Sequence, residues 1–289
     1  MILPRYWAKA ESEERSPQGK RVPFAVWRWS EISLEDARAR AREAAERIAA
    51  RIREGGPLPE RYAYGERPVR EEVIREHRGE DGSITVAVTR NVYGAMVLNT
   101  AQVMFIDIDI ASPGRGKRLW MWLKRAFGGR DGEASEDPVE TALLRLRTWV
   151  AQHPDWGVRV YRTRAGLRYL VTHKTFEPGA PEAEEVMEYL GSDPRYRALC
   201  RVQRSFRARL TPKPWRCGIS LPPARYPYED EDEERTMAAW QARYAAACEG
   251  WATCAFLEWV GREHVHPDVA PIQRLHDELT GVGKDLPLA

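Results

Sequence analysis

Val103-Met-Phe-Ile-Asp-Ile-Asp-Ile110 is the most strand-like stretch of the chain. Apart from its two aspartates it is apolar on both faces of an extended backbone, which predicts a buried central strand. Asp107 and Asp109 stand two residues apart, and side chains at that spacing leave the same face of a strand. Two carboxylates a few ångströms apart repel, and a cation relieves the repulsion. Mg²⁺ or Mn²⁺ suits such a pair, because an ion of this kind binds through one or two carboxylates plus the phosphates of a substrate. The plainer alternative is a strand whose exit carries two solvated aspartates.

Strand and helix signals alternate on either side. Upstream lie Val97-Leu-Asn-Thr100 and Ile84 to Thr89, the latter entered by the turn Asp81-Gly82-Ser83. Val22 to Trp29 is apolar on both faces and reads as a largely buried strand, with Pro23 keeping its start at an edge. Ser33, with Asp36 three residues on, opens an Ala- and Arg-rich helix that stops at Gly55-Gly56. Downstream, residues 112 to 137 are Gly-rich and charged, with a short helix expected at Leu119–Phe127. Pro138 to Gln152 is a helix with Leu143, Leu146 and Val150 on one face. Val158–Thr163 and Leu167–Thr172 predict a hairpin around Arg164-Ala-Gly166, and Pro181–Leu190 a short helix. Met237 to Leu279 reads as helical, broken at Pro267 and Pro271. The expectation is an α+β protein: an N-terminal α/β portion over 1–90, a central portion over 91–225 and a helical C-terminal cap over 226–289.

Composition limits the function classes. The 289 residues carry 45 Lys and Arg against 43 Asp and Glu, a net charge of +2, and seven of the cations are Lys, so the rest are Arg. Arg suits phosphate and carboxylate recognition through its planar fork of donors, although a GC-rich coding sequence gives the same bias. An acidic disordered chain, a collagen-like chain and a basic tail are excluded. No run of about 18 apolar residues suggests a membrane span, and the start is too polar by Lys9 for a signal peptide. The cysteines Cys200, Cys217, Cys248 and Cys254 form no CxxC pair, which predicts reduced thiols in a cytoplasmic protein. Cys248, Cys254, His264 and His266 match no tight finger spacing, so buried thiols and a surface turn are preferred over a zinc site.

Three further groups are candidates. The turn Thr163-Arg164-Ala-Gly166 with Arg168 offers a hydroxyl, two guanidiniums and open backbone, either a phosphate cradle or an ordinary exposed turn. From Arg195 to Arg225 nine basic residues, Arg201, Arg204, Arg207, Arg209, Lys213 and Arg216 among them, follow one another without an acid. Phe206 and Trp215 are interleaved, as expected where phosphates are neutralised and bases stack. Six acids, Glu229 to Glu234, come immediately after and either stay solvated or fold over the basic surface. Asn91, Tyr93 and Asn99 are placed to line a cleft beside the aspartate strand.

The order of these elements, an Asp-x-Asp strand, a Thr-x-x-Gly-x-Arg hairpin and Arg209-Leu-Thr-Pro-Lys-Pro214, resembles the archaeo-eukaryotic primase superfamily of primases and primase-polymerases. The likeness covers residues 97 to 218. It implies a primase-like mixed β-sheet core flanked by helices. Asp107 and Asp109 would hold Mg²⁺ or Mn²⁺ and, with Arg168, form the catalytic set. Thr163, Arg164, Gly166, Arg209 and Lys213 would bind nucleotide phosphate, and Arg201, Arg204, Phe206, Arg207, Trp215 and Arg216 nucleic acid. The implied partners are DNA or RNA and nucleoside triphosphates. Arg168 stands where the second motif usually ends in His. Gln203 and Arg204 stand where the third offers an acid, the nearest being Asp193. The expected activity is metal-dependent nucleotidyl transfer; the alternatives are a non-catalytic nucleic-acid-binding protein and a metal-dependent nuclease.

Overall fold

The computed structural model describes residues 1–57, 67–110 and 137–289, so the expected helix Leu119–Phe127 lies outside the described residues. Strand β1 (Tyr6–Arg15) pairs antiparallel with β2 (Arg21–Ser30), and helix α1 (Leu34–Glu54) covers them. The Ser33 hydroxyl accepts the Asp36 amide at 3.1 Å, and Gly55 ends the helix at φ 70°, so both sequence signals act as expected. Ala37, Ala41, Ala44 and Ala45 form the buried helix face, and side chains this small let α1 lie close on the hairpin. The reading of β2 as largely buried is corrected. It pairs with β1 alone and most of its residues are exposed or half-buried, because α1 covers one face only.

Two four-stranded sheets make the rest of the core. One has the order β3 (Glu72–Arg78), β4 (Ile84–Arg90), β5 (Met96–Thr100), β9 (Phe206–Arg209). The other runs β10 (Cys254–Gly261), β7 (Gly157–Thr163), β8 (Gly166–Val171), β6 (Phe105–Asp109). Among the described residues every ladder between strands is antiparallel, where a mixed sheet was expected. The helices are α2 (Pro138–Gln152), α3 (Pro181–Tyr189), α4 (Pro194–Gln203), α5 (Glu231–Cys248) and α6 (Ala270–Thr280). The protein is thus α+β.

The three-part division of the chain does not follow the sheets. β4 and β5 pair across 90/91, and residues 226–289 carry the expected helices, α5 and α6, but are not helical throughout. Cys254–Gly261 is a strand laid along β7, with Cys254 opposite Thr163 and Gly261 opposite Gly157. The free edge of β7 supplies the backbone partners that decide strand over helix there, and local pattern does not report such an edge.

β6 is an edge strand, not a central one, yet Phe105 and Ile106 are fully buried. Its outer side is closed by the edge of the other sheet. The Tyr196 hydroxyl of α4 sits in the seam, 2.7 Å from the Phe105 carbonyl and 2.9 Å from the Arg207 carbonyl, and accepts the Arg207 amide at 3.2 Å. Strand alternation then sorts the side chains. Met104, Ile106 and Ile108 enter the core shared with α2 and α3, while Phe105 joins the core under α6. Asp107 and Asp109 share the Phe105 face and run out to the surface end of the seam.

Gly166 lets β6 and β8 come together. It pairs with Asp109, and a Cβ there would lie 1.9 Å from the Ile108 carbonyl oxygen. Gly166→Ala should therefore destabilise the protein by about 2 kcal/mol, an overpacking cost, read as a lower urea midpoint. An unchanged midpoint would show that the strand can yield.

Candidate functional site

Asp107 lies opposite Arg168 across the β6–β8 ladder. Arg168 Nε donates to Asp107 Oδ1 at 2.7 Å and Nη2 to Oδ2 at 3.1 Å, a bidentate pair. The guanidinium is 1% exposed, whereas the carboxylate keeps 36% of its side chain in solvent. Nη1 donates to the Arg209 carbonyl at 2.9 Å and faces His276 Nε2 at 3.3 Å and Cys254 Sγ at 3.5 Å. Burial opposes the Arg168 charge, but Asp107 outweighs it, so the guanidinium is held above its ordinary pKa.

A guanidinium only donates, so His276 Nε2 is an acceptor and its proton sits on Nδ1, 3.0 Å from Asp277 Oδ1. Asp277 Oδ2 in turn accepts from Arg159 at 2.9 Å. A chain of contacts thus runs from Arg159 and Asp277 through His276 and Arg168 to Asp107. Composition and spacing did not indicate His276; the one available signal is its place on the apolar face of α6. Burial is the main force pressing its pKa down to about 4; Asp277 opposes it and Arg168 adds to it. The unfolded chain takes up this proton near pH 6.5 and the folded protein only near 4. Stability should therefore fall as pH drops through that interval. Urea midpoints measured across it should decline, and less steeply for His276→Gln than for the wild-type chain. Equal slopes would remove His276 from the pH response.

Asp109 differs from its neighbour. It is exposed, and among the described residues no hydrogen bond or ion pair reaches its carboxylate. Partial burial, then the charges of Asp107 and Asp193, raise its pKa, against the pull of Lys213 and Arg209. The cations around it are equally uncompensated. Burial and then Arg168 depress Arg209 to about 10, and its guanidinium donates to the Thr211 carbonyl at 3.2 Å. Lys213 is lowered by burial, Arg209 and Arg216. Arg216 is lowered by burial and Arg164, and its Nη1 is buried with no hydrogen-bond partner among the described residues. None of Arg164, Arg209, Lys213 and Arg216 has a carboxylate within ion-pair distance among those residues. The arrangement is an acid end on β6 faced by positive charge that has no acidic partner among the described residues.

The structure thus brings Asp107, Asp109, Arg168, Arg209, Lys213, Arg164 and Arg216 together. It separates the others. Gly166 is buried against Ile108 and its carbonyl accepts from Arg162 at 3.2 Å, so it is a packing position, not open backbone for a phosphate. Thr163 pairs with Cys254 and Gly166 at the end of β7, whereas Arg164, next to it in the chain, stays with the site's cations near Arg216, exposed and with its Nη1 on the Leu288 carbonyl at 3.2 Å. Phe206 is fully buried and cannot stack on a base. Arg207 is buried in a polar network, donating to Glu71 and Gln203 at 2.6 Å and to Asn99 at 2.8 Å. This corrects both its surface role and the placing of Asn99 in a cleft. Arg201 is paired with Glu184 and Arg197 with Glu188. Arg204 caps α4 with φ 47°. The nine cations are therefore not one surface: acids outside the run neutralise Arg197, Arg201 and Arg207, while Arg209, Lys213 and Arg216 have no acidic partner among the described residues.

Asp193 caps α4, its carboxylate accepting the Arg195 amide at 2.8 Å. Among the described residues no three His, Cys, Asp or Glu side chains surround one point. That applies also to Cys248, Cys254, His264 and His266, and all four cysteines are free thiols. The acidic run does not cover the basic site. Asp230 caps α5 and the next four acids fill its first turn, where the helix dipole favours negative charge. Among the described residues no helix is long and apolar enough to cross a membrane. No family model, curated protein or solved structure matches the chain.

Proposed function

We propose that the protein is a metal-dependent nucleotidyltransferase of primase-polymerase type, joining nucleoside triphosphates to nucleic acid. One observation carries the reading: Asp109, raised and unpaired beside Asp107, faces Lys213, Arg209 and Arg216, none of which has an acidic partner among the described residues. A lone excess of either sign is common on surfaces, but uncompensated acids set against uncompensated cations match a ligand that carries both charges, a divalent cation on a polyphosphate.

The residues fit one such ion. Asp109 has a charge to be relieved, and Asp107, although each oxygen takes one bond from Arg168, keeps lone pairs on its solvent side. Asp107 and Asp109 would hold Mg²⁺ or Mn²⁺, and the ion would supply Lewis-acid polarisation of the phosphate undergoing attack. Arg209 and Arg164 bind the triphosphate and neutralise the leaving pyrophosphate. Arg168, through its two bonds, fixes the direction of the Asp107 carboxylate. In the reaction a 3′-hydroxyl oxygen bonds to the α-phosphorus, the bond to the bridging oxygen breaks, and the hydroxyl proton passes to water.

A second reading, nucleic-acid binding without catalysis, is favoured because no third carboxylate joins Asp107 and Asp109 in one cluster among the described residues. Incorporation of labelled nucleotide on primed and unprimed templates, comparing the wild-type chain with Asp109→Asn, separates the two.

A further inference from the structure

Two large aromatic side chains stand exposed at the rim of this site. Trp215 is 51% exposed and Tyr93 47%, and their rings meet edge to face with centroids 5.6 Å apart and planes at 85°. A T-shaped pair of this kind leaves an L-shaped corner, one wall an aromatic face and the other an aromatic edge. Single exposed aromatics are ordinary, but here both come from loops held stiffly from below. Tyr93 lies in the β4–β5 turn, where Asn91 Oδ1 accepts the Tyr93 amide at 3.0 Å and the Ala95 amide at 3.1 Å. Trp240 of α5 lies under Gly94 of that turn so closely that a Cβ on Gly94 would fall 2.2 Å from its ring. Trp215 follows Pro214, which is buried, in a segment tied to both neighbours. Thr211 Oγ1 accepts the Met96 amide at 2.8 Å and bonds the Tyr244 hydroxyl at 2.8 Å, and Tyr244 also donates to the Pro212 carbonyl. Trp240 Nε1 donates to the Ser220 carbonyl at 3.0 Å, fixing the far end of the segment. Rigid presentation lowers the entropic cost of binding.

Charge gives the corner its ligand class. Lys213 Nζ lies 5.5 Å from the Trp215 ring centroid, within cation–π range, and the same lysine feels the Asp109 charge. Arg216 follows Trp215 directly, and its Nη1 has no hydrogen-bond partner among the described residues. An aromatic corner flanked by cations without acidic partners suits a flat ring joined to a phosphate. We infer that the Tyr93–Trp215 corner stacks a nucleobase of a single-stranded nucleic acid, whose backbone phosphate lies on Lys213 and Arg216. Paired bases have their faces covered by neighbours, so duplex is excluded by the same geometry. This rests on the reading of Asp109 and its cations as a nucleotidyl-transfer site, and it assigns the strand's position beside that site.

The test is fluorescence anisotropy of a fluorescein-labelled oligothymidylate, without divalent metal, in the wild-type background and in Asp109→Asn. Both should bind the strand, so a catalytic failure at Asp109 stays distinct from a failure of the corner. Trp215→Ala should weaken binding roughly tenfold or more, and Tyr93→Ala should also weaken it, while Trp215→Phe keeps most of it. Because Trp215 is exposed, its loss should leave the urea midpoint unchanged. Lys213→Ala should lower the salt dependence of binding, which Trp215→Ala should not. Binding by Trp215→Ala equal to wild type, duplex bound as tightly as the single strand, or no binding by the wild-type chain would overturn the proposal. So would competition by free nucleoside triphosphate at the strand's own affinity, which would give the corner to a nucleotide instead.

Discussion

Asp109→Asn should lower metal-dependent nucleotide incorporation about 100-fold or more while leaving the fold intact. The size follows from charge stabilisation of several kcal/mol by a bound ion at the reacting phosphate, at about tenfold per 1.4 kcal/mol. Asparagine keeps the shape of the side chain and removes the charge that would meet the ion. Stability should be unchanged or slightly higher, because the carboxylate is exposed, unpaired among the described residues and repelled by Asp107 and Asp193. Initial rates over a range of Mg²⁺ and Mn²⁺ concentrations, with urea unfolding of both proteins, supply the measurement. A variant as fast as the parent would sink the catalytic reading and leave nucleic-acid binding as the function.

Arg168→Met should cost about 3 kcal/mol of stability, and Asp107→Ala a similar amount. Breaking a buried ion pair from one side typically costs 3–5 kcal/mol, because a desolvated charge is left alone. The lower end applies because Asp107 keeps about a third of its side chain in water. Removing Asp107 leaves the deeper problem, a fully buried guanidinium beside Arg209 with only the Arg209 carbonyl, His276 and Cys254 as partners. The double variant Arg168→Met/Asp107→Ala should therefore be less destabilised than the sum of the singles. Urea unfolding of the four proteins measures the coupling. Singles within about 1 kcal/mol of wild type would mean that the pair is not structural. The consequence for function tests is direct. Loss of activity in Asp107→Ala confounds chemistry with folding, and Asp109 is the aspartate whose substitution reports on chemistry.

The same contrast divides what the sequence shows from what it hides. Asp107 and Asp109 are one motif by spacing, and period-two alternation correctly puts them on one face of a strand. The hairpin around Arg164, the capped helix at Ser33 and the helix from Pro138 were likewise legible, since each depends on contacts within a few residues. The α+β class followed from their alternation.

Partnership across the chain was not legible. Nothing local distinguishes Arg207, buried on Glu71, from Arg216, which has a buried nitrogen without a partner among the described residues; nine successive cations look alike until distant acids are folded against three of them. Nothing local marks Arg168 as the fixed counter-ion of Asp107, since that pair depends on the register of β6 against β8. Nor does the pattern of Cys254–Gly261 announce a strand, because the edge of β7 supplies its hydrogen bonds. Tyr93 and Trp215 meet only because α5 holds two loops from below. By itself, the sequence determined the local elements and the residue types available for chemistry, through backbone propensity and side-chain periodicity. Only the tertiary structure decided which charges are cancelled and which are left facing solvent, because that depends on which distant residues the sheets bring within a few ångströms.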